Sequence, residues 1–425
     1  MQEKVVILGA GVAGIGAGYR LDGAAEIYEA RERYGGLCDN FTVGGFRFDT
    51  AVHLSFAKEK VVRSVFDQTP YFGHKPIAQN YCDGYWAKHP LQNNTFNLPV
   101  EEKIRIIKSI MERPAYDKVE DYEQWLIAQF GQYFADRYPK RYTRKYWCCE
   151  AADLSVEWIT SRMYLPSIDE VLHGAMTDET PNTYYAEEMR YPKVGGYRAF
   201  FEHIADKMDI RLSHRVTSID PNKKIVRFEN GNIAGYDRLL SSMPLPEVIA
   251  AIENVPEDVV AASQRLYATS VTLVSVGYKQ EMELPSLWFY VYNEDIPFAR
   301  GYSPSMKSPD NVPSGKSSLQ FEIYHSRYKP LPQDGDGLTD TVIKSLDEMG
   351  ISKPNDVEVT DVRTAKYGNV VFYKGMERDR KIVRDYLKEQ GITTIGRWGM
   401  WAYLWSNQAF MSGYKAALPN TAVDA

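Results

Sequence analysis

The residues with the clearest chemical meaning are three glycines near the N-terminus. Gly9, Gly11 and Gly14 form a GxGxxG motif, and Glu29 follows Gly9 by 20 residues. In such a motif the first glycine permits a tight turn and the second lets the backbone approach a pyrophosphate. The third lets a helix pack closely on a strand, and the acid accepts a hydrogen bond from a ribose hydroxyl. This spacing predicts a dinucleotide-binding site.

Two strands and a helix must position these residues. Val5, Val6, Ile7 and Leu8 form a short apolar run that is typical of a buried parallel strand. A stretch compatible with a helix runs from the glycines to Leu21, and residues 25–29 predict a second strand that ends at the acid. The helix N-terminus would attract the phosphates of the ligand.

A second glycine pair indicates which dinucleotide binds. Residues 30–37 read Ala-Arg-Glu-Arg-Tyr-Gly-Gly-Leu, so that Gly35, Gly36 and Leu37 follow the acid after a short basic linker. This arrangement resembles the FAD-binding signature of the flavoprotein superfamily that includes the amine oxidases. A simple NAD dehydrogenase has no need of the second glycine pair. We therefore predict FAD as the cofactor.

Composition excludes several other classes of function. The chain has 425 residues with a net charge of -6 and no long basic run, which argues against nucleic acid as a partner. Its four cysteines form neither a disulfide framework nor a paired CxxC zinc motif, and its seven histidines include no HxxxH pair. We predict no metal site and no membrane span. A cytoplasmic location is the default expectation for such a chain.

The chain predicts an α/β fold in which the segments are interleaved. A Rossmann-like FAD-binding domain is expected from residues 1–80, 190–245 and 355–425. Residues 81–189 read as a mainly helical insertion, because apolar residues recur there at helical spacing. Residues 246–354 are rich in β-forming residues and predict a separate antiparallel sheet domain.

Five segments resemble the UDP-galactopyranose mutase family, more closely its eukaryotic-type branch. They follow the family order along nearly the whole chain and lie at residues 45–53, 89–99, 144–162, 288–300 and 396–408. The first reads Gly-Phe-Arg-Phe-Asp-Thr-Ala-Val-His and ends at His53. The last reads Gly-Arg-Trp-Gly and continues to Trp401, Tyr403, Asn407 and Gln408.

The resemblance implies roles for individual residues. His53, Arg162 and Arg300 would be catalytic, and the two arginines would hold a diphosphate, which paired guanidiniums bind well. Further cofactor contacts would come from a C-terminal set: Arg397, Gly399, Asn407 and Gln408. Both arginines would also contact the substrate. The other substrate contacts would come from a set rich in aromatic residues: Gln92, Asn93, Trp147, Trp288, Tyr290 and Tyr403. For Gln92 and Asn93, a capped helix start is the open alternative.

The resemblance also implies a reaction. The family interconverts pyranose and furanose forms of a nucleotide sugar through an adduct on N5 of the reduced flavin, which supplies precursors of cell-surface polysaccharides. NADPH or NADH would serve as reductant, and the chain would self-associate. Residues 367–372 and the Ala409-Phe410 pair depart from the family pattern, which leaves the sugar and the base open. The alternative is an FAD-dependent oxidoreductase of the amine oxidase or protoporphyrinogen oxidase type.

Overall fold

The computed structural model describes residues 3–75, 77–159, 163–181, 186–331 and 335–418. In chain order, its strands are β1 Val5–Leu8, β2 Ala25–Tyr28, β3 Asn40–Val43, β4 Phe46–Asp49, β5 Tyr71–His74, β6 Ala78–Cys82, β7 Tyr85–Lys88, β8 Met189–Pro192, β9 Asp209–Arg211, β10 Val216–Asp220, β11 Ile225–Phe228, β12 Ile233–Gly235, β13 Arg238–Ser241, β14 Ala268–Tyr278, β15 Trp288–Val291, β16 Arg300–Tyr302, β17 Ser318–His325, β18 Val357–Val370 and β19 Ile392–Thr394.

Its helices are α1 Val12–Arg20, α2 Lys60–Phe66, α3 Val100–Met111, α4 Tyr122–Arg137, α5 Pro139–Tyr146, α6 Ile168–Met176, α7 Ala199–Ala205, α8 Leu245–Ala250, α9 Glu257–Arg265, α10 Pro304–Lys307, α11 Gly335–Glu348, α12 Met376–Glu389, α13 Gly396–Gly399 and α14 Ser406–Ala416. Among the described helices, none is both long enough and apolar enough to cross a lipid bilayer.

A five-stranded parallel sheet carries the N-terminal motif. Its strand order is β19-β13-β1-β2-β9, with β1 in the centre. All four residues of β1 are buried, as the continuous apolar run predicts for a strand covered on both faces. Helix α1 follows β1 directly and packs against α14, so the two ends of the chain meet beside this sheet.

A seven-stranded sheet lies apart from the parallel one. Its order is β18-β14-β17-β16-β15-β6-β7, and every pairing is antiparallel except the one between β15 and β6. Strands β6, β7 and β18 bring in residues 78–88 and 357–370, which lie outside the predicted limits of 246–354. The division of the chain into three domains by residue number stays a prediction.

Helices α3 to α6 form the predicted helical segment, which lies between β7 and β8 in the sequence. Helices α3 and α4 pack together, and their buried faces include Ile106, Ile110, Leu126 and Phe130. The predicted fold class is therefore confirmed: a Rossmann-like α/β unit, a helical insertion and a separate, largely antiparallel sheet.

Candidate active site

A groove of about 820 Å³ runs along the carboxyl end of the parallel sheet. Its walls include Gly9, Gly11, Gly35 and Gly36, and its far wall is formed by residues 364–367 of β18. Gly11 and Gly35 form an isolated β-bridge, which holds the two glycine turns side by side. The backbone of both turns is thereby exposed to a ligand in the groove. The volume falls within the range of about 300–1,000 Å³ that ligand pockets occupy.

Glu29 lies in the same groove and is fixed by the backbone. The residue is buried, and its carboxylate accepts hydrogen bonds from the backbone N–H of Ala10 at 2.9 Å and of Arg31 at 3.0 Å. These bonds attach the end of β2 to the glycine turn after β1. The carboxylate is thus positioned beside the turn, as the 20-residue spacing predicts.

Two of the predicted cofactor glycines act through packing. A Cβ atom on Gly14 would stand 2.0 Å from the carbonyl oxygen of Gly9, so only glycine allows α1 to approach β1 this closely. A Cβ atom on Gly399 would stand 2.5 Å from the carbonyl oxygen of Ser241. Neither residue lines the groove, and both bring a helix against the parallel sheet.

A smaller cavity of about 180 Å³ continues from the groove. The groove and the cavity have six wall residues in common: Leu37, His53, Arg397, Leu404, Trp405 and Ser406. Beyond this shared wall the small cavity is lined by Trp288, Tyr290, Arg300 and Tyr403 from the predicted substrate set. The structure thus brings those four residues next to the predicted cofactor groove.

His53 stands at the junction of the groove and the cavity. Its Nδ1 lies 3.1 Å from the carbonyl oxygen of Ala51, which requires that Nδ1 carry the proton of a neutral ring. Burial lowers the pKa of His53 to about 4, and the charge of Asp49 offsets this only in part. The imidazole is therefore neutral at pH 7, with Nε2 as a hydrogen-bond acceptor.

Arg300 enters the cavity from β16 and is held by a buried carboxylate. Its Nε donates to Oε2 of Glu322 at 2.7 Å, and Tyr324 donates to the same oxygen at 2.8 Å. The other carboxylate oxygen accepts from the backbone N–H of Val52, next to His53. Burial is the largest single effect and opposes the charged guanidinium, but Glu322 and the tyrosines around it together raise the pKa of Arg300 well above its ordinary value.

Arg397 is the cation on the shared wall. Its Nη2 donates to Oδ1 of Asn369 at 2.6 Å, and its Nη1 donates to the carbonyl of Leu404 at 3.2 Å. The guanidinium lies 4.7 Å from the ring centroid of Tyr403, whose hydroxyl is 2.8 Å from that of Tyr146. This network fixes the orientation of Arg397, and its buried Nε has no acceptor among the described residues.

Four more predicted contacts also lie outside both cavities. Gln92 and Asn93 lie in a buried turn, where the side chain of Gln92 donates to the carbonyl of the distant Tyr164 and that of Asn93 accepts from Asn94. Asn407 donates to Glu59, and Gln408 accepts from the backbone of Trp405 at the start of α14.

Trp147 is buried against Trp158 and Tyr403, where it packs behind the wall of the cavity. It supports Tyr403, which does line the cavity. Arg162, the second predicted diphosphate residue, lies outside the described residues.

Sequence reasoning missed the buried partners of the site. Glu322 holds Arg300, and Asp49 pairs with Lys307 at 2.7 Å, where both side chains are at most 1% exposed. The Lys307 ammonium lies over the rings of Tyr191 and Tyr302 at 4.6 and 4.4 Å. Nothing local in the sequence shows which residues pair. For Glu322 alone there is a signal, because it is a charged residue inside an otherwise apolar β-forming segment.

The groove suits a flavin dinucleotide. The glycine turns after β1 and β2 leave room for a pyrophosphate, since a Cβ atom on Gly11 would meet only Gly36, at 3.8 Å. The carboxylate of Glu29 lies where a ribose is expected. At the opposite end, Arg397 has an unpaired buried N–H beside the small cavity. Gly9, Gly11, Glu29, Gly35, Gly36, Leu37, His53 and Arg397 would therefore hold FAD.

Comparison with solved structures agrees with this architecture. The chain is similar to a reduced UDP-galactopyranose mutase, with a TM-score of 0.92, 24% identity, and coverage of 98% of this chain and 93% of that one. It is also similar to a putative protoporphyrinogen oxidase from Exiguobacterium sp. 255-15, with a TM-score of 0.76, 15% identity and 98% coverage of both chains. A fatty acid isomerase from P. acnes that produces CLA gives a TM-score of 0.66, 12% identity and 98% coverage of both chains.

A family profile identifies the class of protein. The flavin containing amine oxidoreductase family matches residues 12–418, which include the lining of the small cavity and all of the groove lining except Leu8, Gly9 and Gly11. The match covers most of the chain, and the FAD expectation drawn from Gly35 and Gly36 agrees with it. The chain is therefore a member of the flavin containing amine oxidoreductase family.

Proposed function

We propose that this chain is a flavin-dependent nucleotide-sugar mutase, which interconverts the pyranose and furanose forms of a sugar nucleotide such as UDP-galactose. One observation carries the proposal. Arg300, a guanidinium fitted to bind a phosphate oxygen, lines a cavity that shares His53 and Arg397 with the flavin groove. A diphosphate at Arg300 would bring its attached sugar toward the flavin.

The likeness to the reduced UDP-galactopyranose mutase supports this proposal, because it extends over nearly the whole of both chains. Trp288 and Arg300, which belong to the same family-like segment, also lie near each other in the structure. They lie on neighbouring antiparallel strands and both line the cavity. The sugar and the base within this substrate class stay proposals.

The residues of this chain would bind and orient the substrate. Bound FAD in its reduced form supplies the nucleophile for the anomeric carbon. Arg300 would bind the diphosphate as it departs and keep it near the sugar for its return. Neutral His53 would accept a hydrogen bond at Nε2. Trp405 and Tyr403 would exclude water from the reacting centre.

Several elements of the proposal lie beyond the contacts described above. Arg162 would be a second diphosphate ligand, as the family resemblance implies. NADPH or NADH would reduce the flavin before the first turnover. We also propose that the chain self-associates and that it works in the cytoplasm on precursors of cell-surface polysaccharides.

The test is a product assay under anaerobic conditions. The holoenzyme is reduced with dithionite and incubated with UDP-galactopyranose and with other nucleotide hexopyranoses, and the products are separated by chromatography. We expect an isomer of the same mass to form only with reduced flavin, and Arg300→Ala to abolish it. The control is the oxidised holoenzyme under the same conditions.

The second candidate is an FAD-dependent oxidoreductase, which the likeness to the putative protoporphyrinogen oxidase favours. Such an enzyme would consume an oxidant and, in air, form hydrogen peroxide. If no nucleotide sugar is isomerised while an amine or a porphyrinogen is oxidised with release of peroxide, the mutase proposal is wrong.

A further inference from the structure

Asn369 is a buried side chain whose two amide atoms have different surroundings. The residue is 4% exposed. Its Oδ1 accepts hydrogen bonds from Nη2 of Arg397 at 2.6 Å and from the hydroxyl of Tyr146 at 3.3 Å. Its Nδ2 has no acceptor among the described residues. A flipped amide would place two donors against each other at Arg397, so the network fixes the orientation.

The position of Asn369 along β18 separates the two possible ligands. Residues 364–367 line the flavin groove, whereas Gly368 and Asn369 line only the small cavity. The backbone N–H of Asn369 donates to Oγ1 of Thr269 at 3.0 Å, which holds this end of the strand in place. Asn369 therefore lies in the wall of the cavity that also contains Arg300, with its unpaired amide N–H buried in that wall.

We propose that Asn369 is a specificity-determining residue, whose Nδ2 donates a hydrogen bond to an oxygen atom of the substrate. The acceptor is a sugar hydroxyl or an oxygen of the diphosphate, and the inference rests on the proposed function for this choice of substrate. A buried donor whose acceptor arrives only with the ligand discriminates strongly against ligands that lack the acceptor. Asn369 also lies in the segment 367–372, where the sequence departs from the mutase pattern.

Two substitutions separate direct contact from an effect transmitted through Arg397. Both Asn369→Leu and Asn369→Asp remove the N–H donor. Only the leucine also removes the acceptor for Arg397, because the aspartate keeps an oxygen beside that guanidinium. Direct contact predicts that both variants bind substrate more weakly. An effect through Arg397 predicts that only the leucine variant does.

The experiment is isothermal titration calorimetry on the FAD-loaded wild type and both variants, with UDP and UDP-galactopyranose as probes. We expect the Kd for UDP-galactopyranose to rise by about 10- to 100-fold in both variants, as for the loss of one hydrogen bond to a buried donor. If the acceptor is a sugar hydroxyl, the Kd for UDP stays unchanged. If it is a diphosphate oxygen, both dissociation constants rise together.

The control is Thr269→Ser, which keeps the hydroxyl that accepts from the backbone of Asn369 and removes only a methyl group beside it. We expect its dissociation constants to stay within about threefold of the wild type. Unchanged binding of UDP-galactopyranose by Asn369→Asp overturns the proposal. So does a changed flavin absorption spectrum or FAD affinity in Asn369→Asp without nucleotide, because that variant keeps the acceptor for Arg397 and the lost donor would then serve the flavin.

The experiments can refute the proposed function without refuting the role of Asn369 in binding. If the wild type binds UDP-galactopyranose but forms no isomer from any of the nucleotide hexopyranoses, the mutase proposal is wrong while the binding comparison at Asn369 still holds. If the wild type binds neither UDP nor any of those nucleotide hexopyranoses, both proposals are wrong.

Discussion

Alanine at Gly11 and at Gly14 should separate loss of the cofactor from loss of stability. The two glycines belong to one motif, but the structure places them in different surroundings. Gly11 has φ -71° and ψ 175°, which any residue adopts, and a Cβ atom there would meet only Gly36 at 3.8 Å. A Cβ atom on Gly14 would lie 2.0 Å from the carbonyl oxygen of Gly9. Gly11→Ala therefore projects a methyl group into the groove, whereas Gly14→Ala pushes α1 away from β1.

The distances set the expected magnitudes. A normal carbon contact is about 3.5 Å, so Gly14→Ala must shift α1 from β1 by roughly 1.5 Å, at a cost of about 3 kcal/mol or more. For a chain of this length that lowers the melting temperature by about 3 °C or more. Gly11→Ala causes no such clash, so its flavin-free melting temperature should stay within about 1 °C of the wild type. Its FAD affinity should fall by about 10- to 100-fold, because the methyl group occupies the path of the pyrophosphate.

The assay combines two measurements on each protein. Differential scanning calorimetry of the flavin-stripped proteins gives the melting temperatures, and titration with FAD, followed by visible absorption, gives the affinity. The wild type, stripped and reloaded in parallel, is the control. The reasoning is refuted if Gly11→Ala binds FAD like the wild type, or if it destabilises the flavin-free protein as much as Gly14→Ala.

Three further predictions concern the buried charges. Lys307→Met should destabilise the protein by about 3–5 kcal/mol in chemical denaturation, because Asp49 stays buried without its partner, and the double variant Asp49→Asn/Lys307→Met should recover most of this loss. With the pKa of His53 lowered to about 4, the wild type should lose stability relative to His53→Asn as the pH falls from about 6.5 to about 4, since only the unfolded chain takes up that proton. Arg300→Lys should raise the Kd for UDP by about tenfold in calorimetry, because a single ammonium cannot keep the contacts of Nε and Nη2 with Glu322 and also reach the diphosphate; an unchanged Kd would place the diphosphate elsewhere.

The sequence predicted those parts of the site that local chemistry specifies. The glycine turns, Glu29 and the strands around them depend on residues within about 40 positions of each other, and the structure places them together as expected. The wall residues His53, Arg300 and Arg397 came from the family resemblance, which carries long-range information that spacing lacks. Gln92 shows the limit of that transfer, because its side chain donates to the carbonyl of Tyr164 and lines neither cavity.

The remaining parts depend on pairing between distant segments. Asp49 and Lys307 are 258 residues apart and form their ion pair only because α10 follows β16 and packs near β4. Glu322 reaches Arg300 through the register of β16 with β17, where the two residues are direct cross-strand partners. No local propensity encodes either register. Both buried charges are stable only with their partners, so the sequence alone does not show where they go.

The register of β18 explains how one strand serves both cavities. Asn369 pairs with Thr269 of β14, but the next pair in the ladder is Ala365 with Val271. Four residues of β18 therefore span two residues of β14, and the excess is taken up as a bulge that includes Gly368. Bulges of this kind re-aim side chains next to active sites. Here the bulge falls where the strand leaves the flavin groove for the small cavity, next to the residue that we propose donates to the substrate. The segment 367–372, which departs from the mutase pattern, therefore combines its altered side chains with this local change in strand pairing.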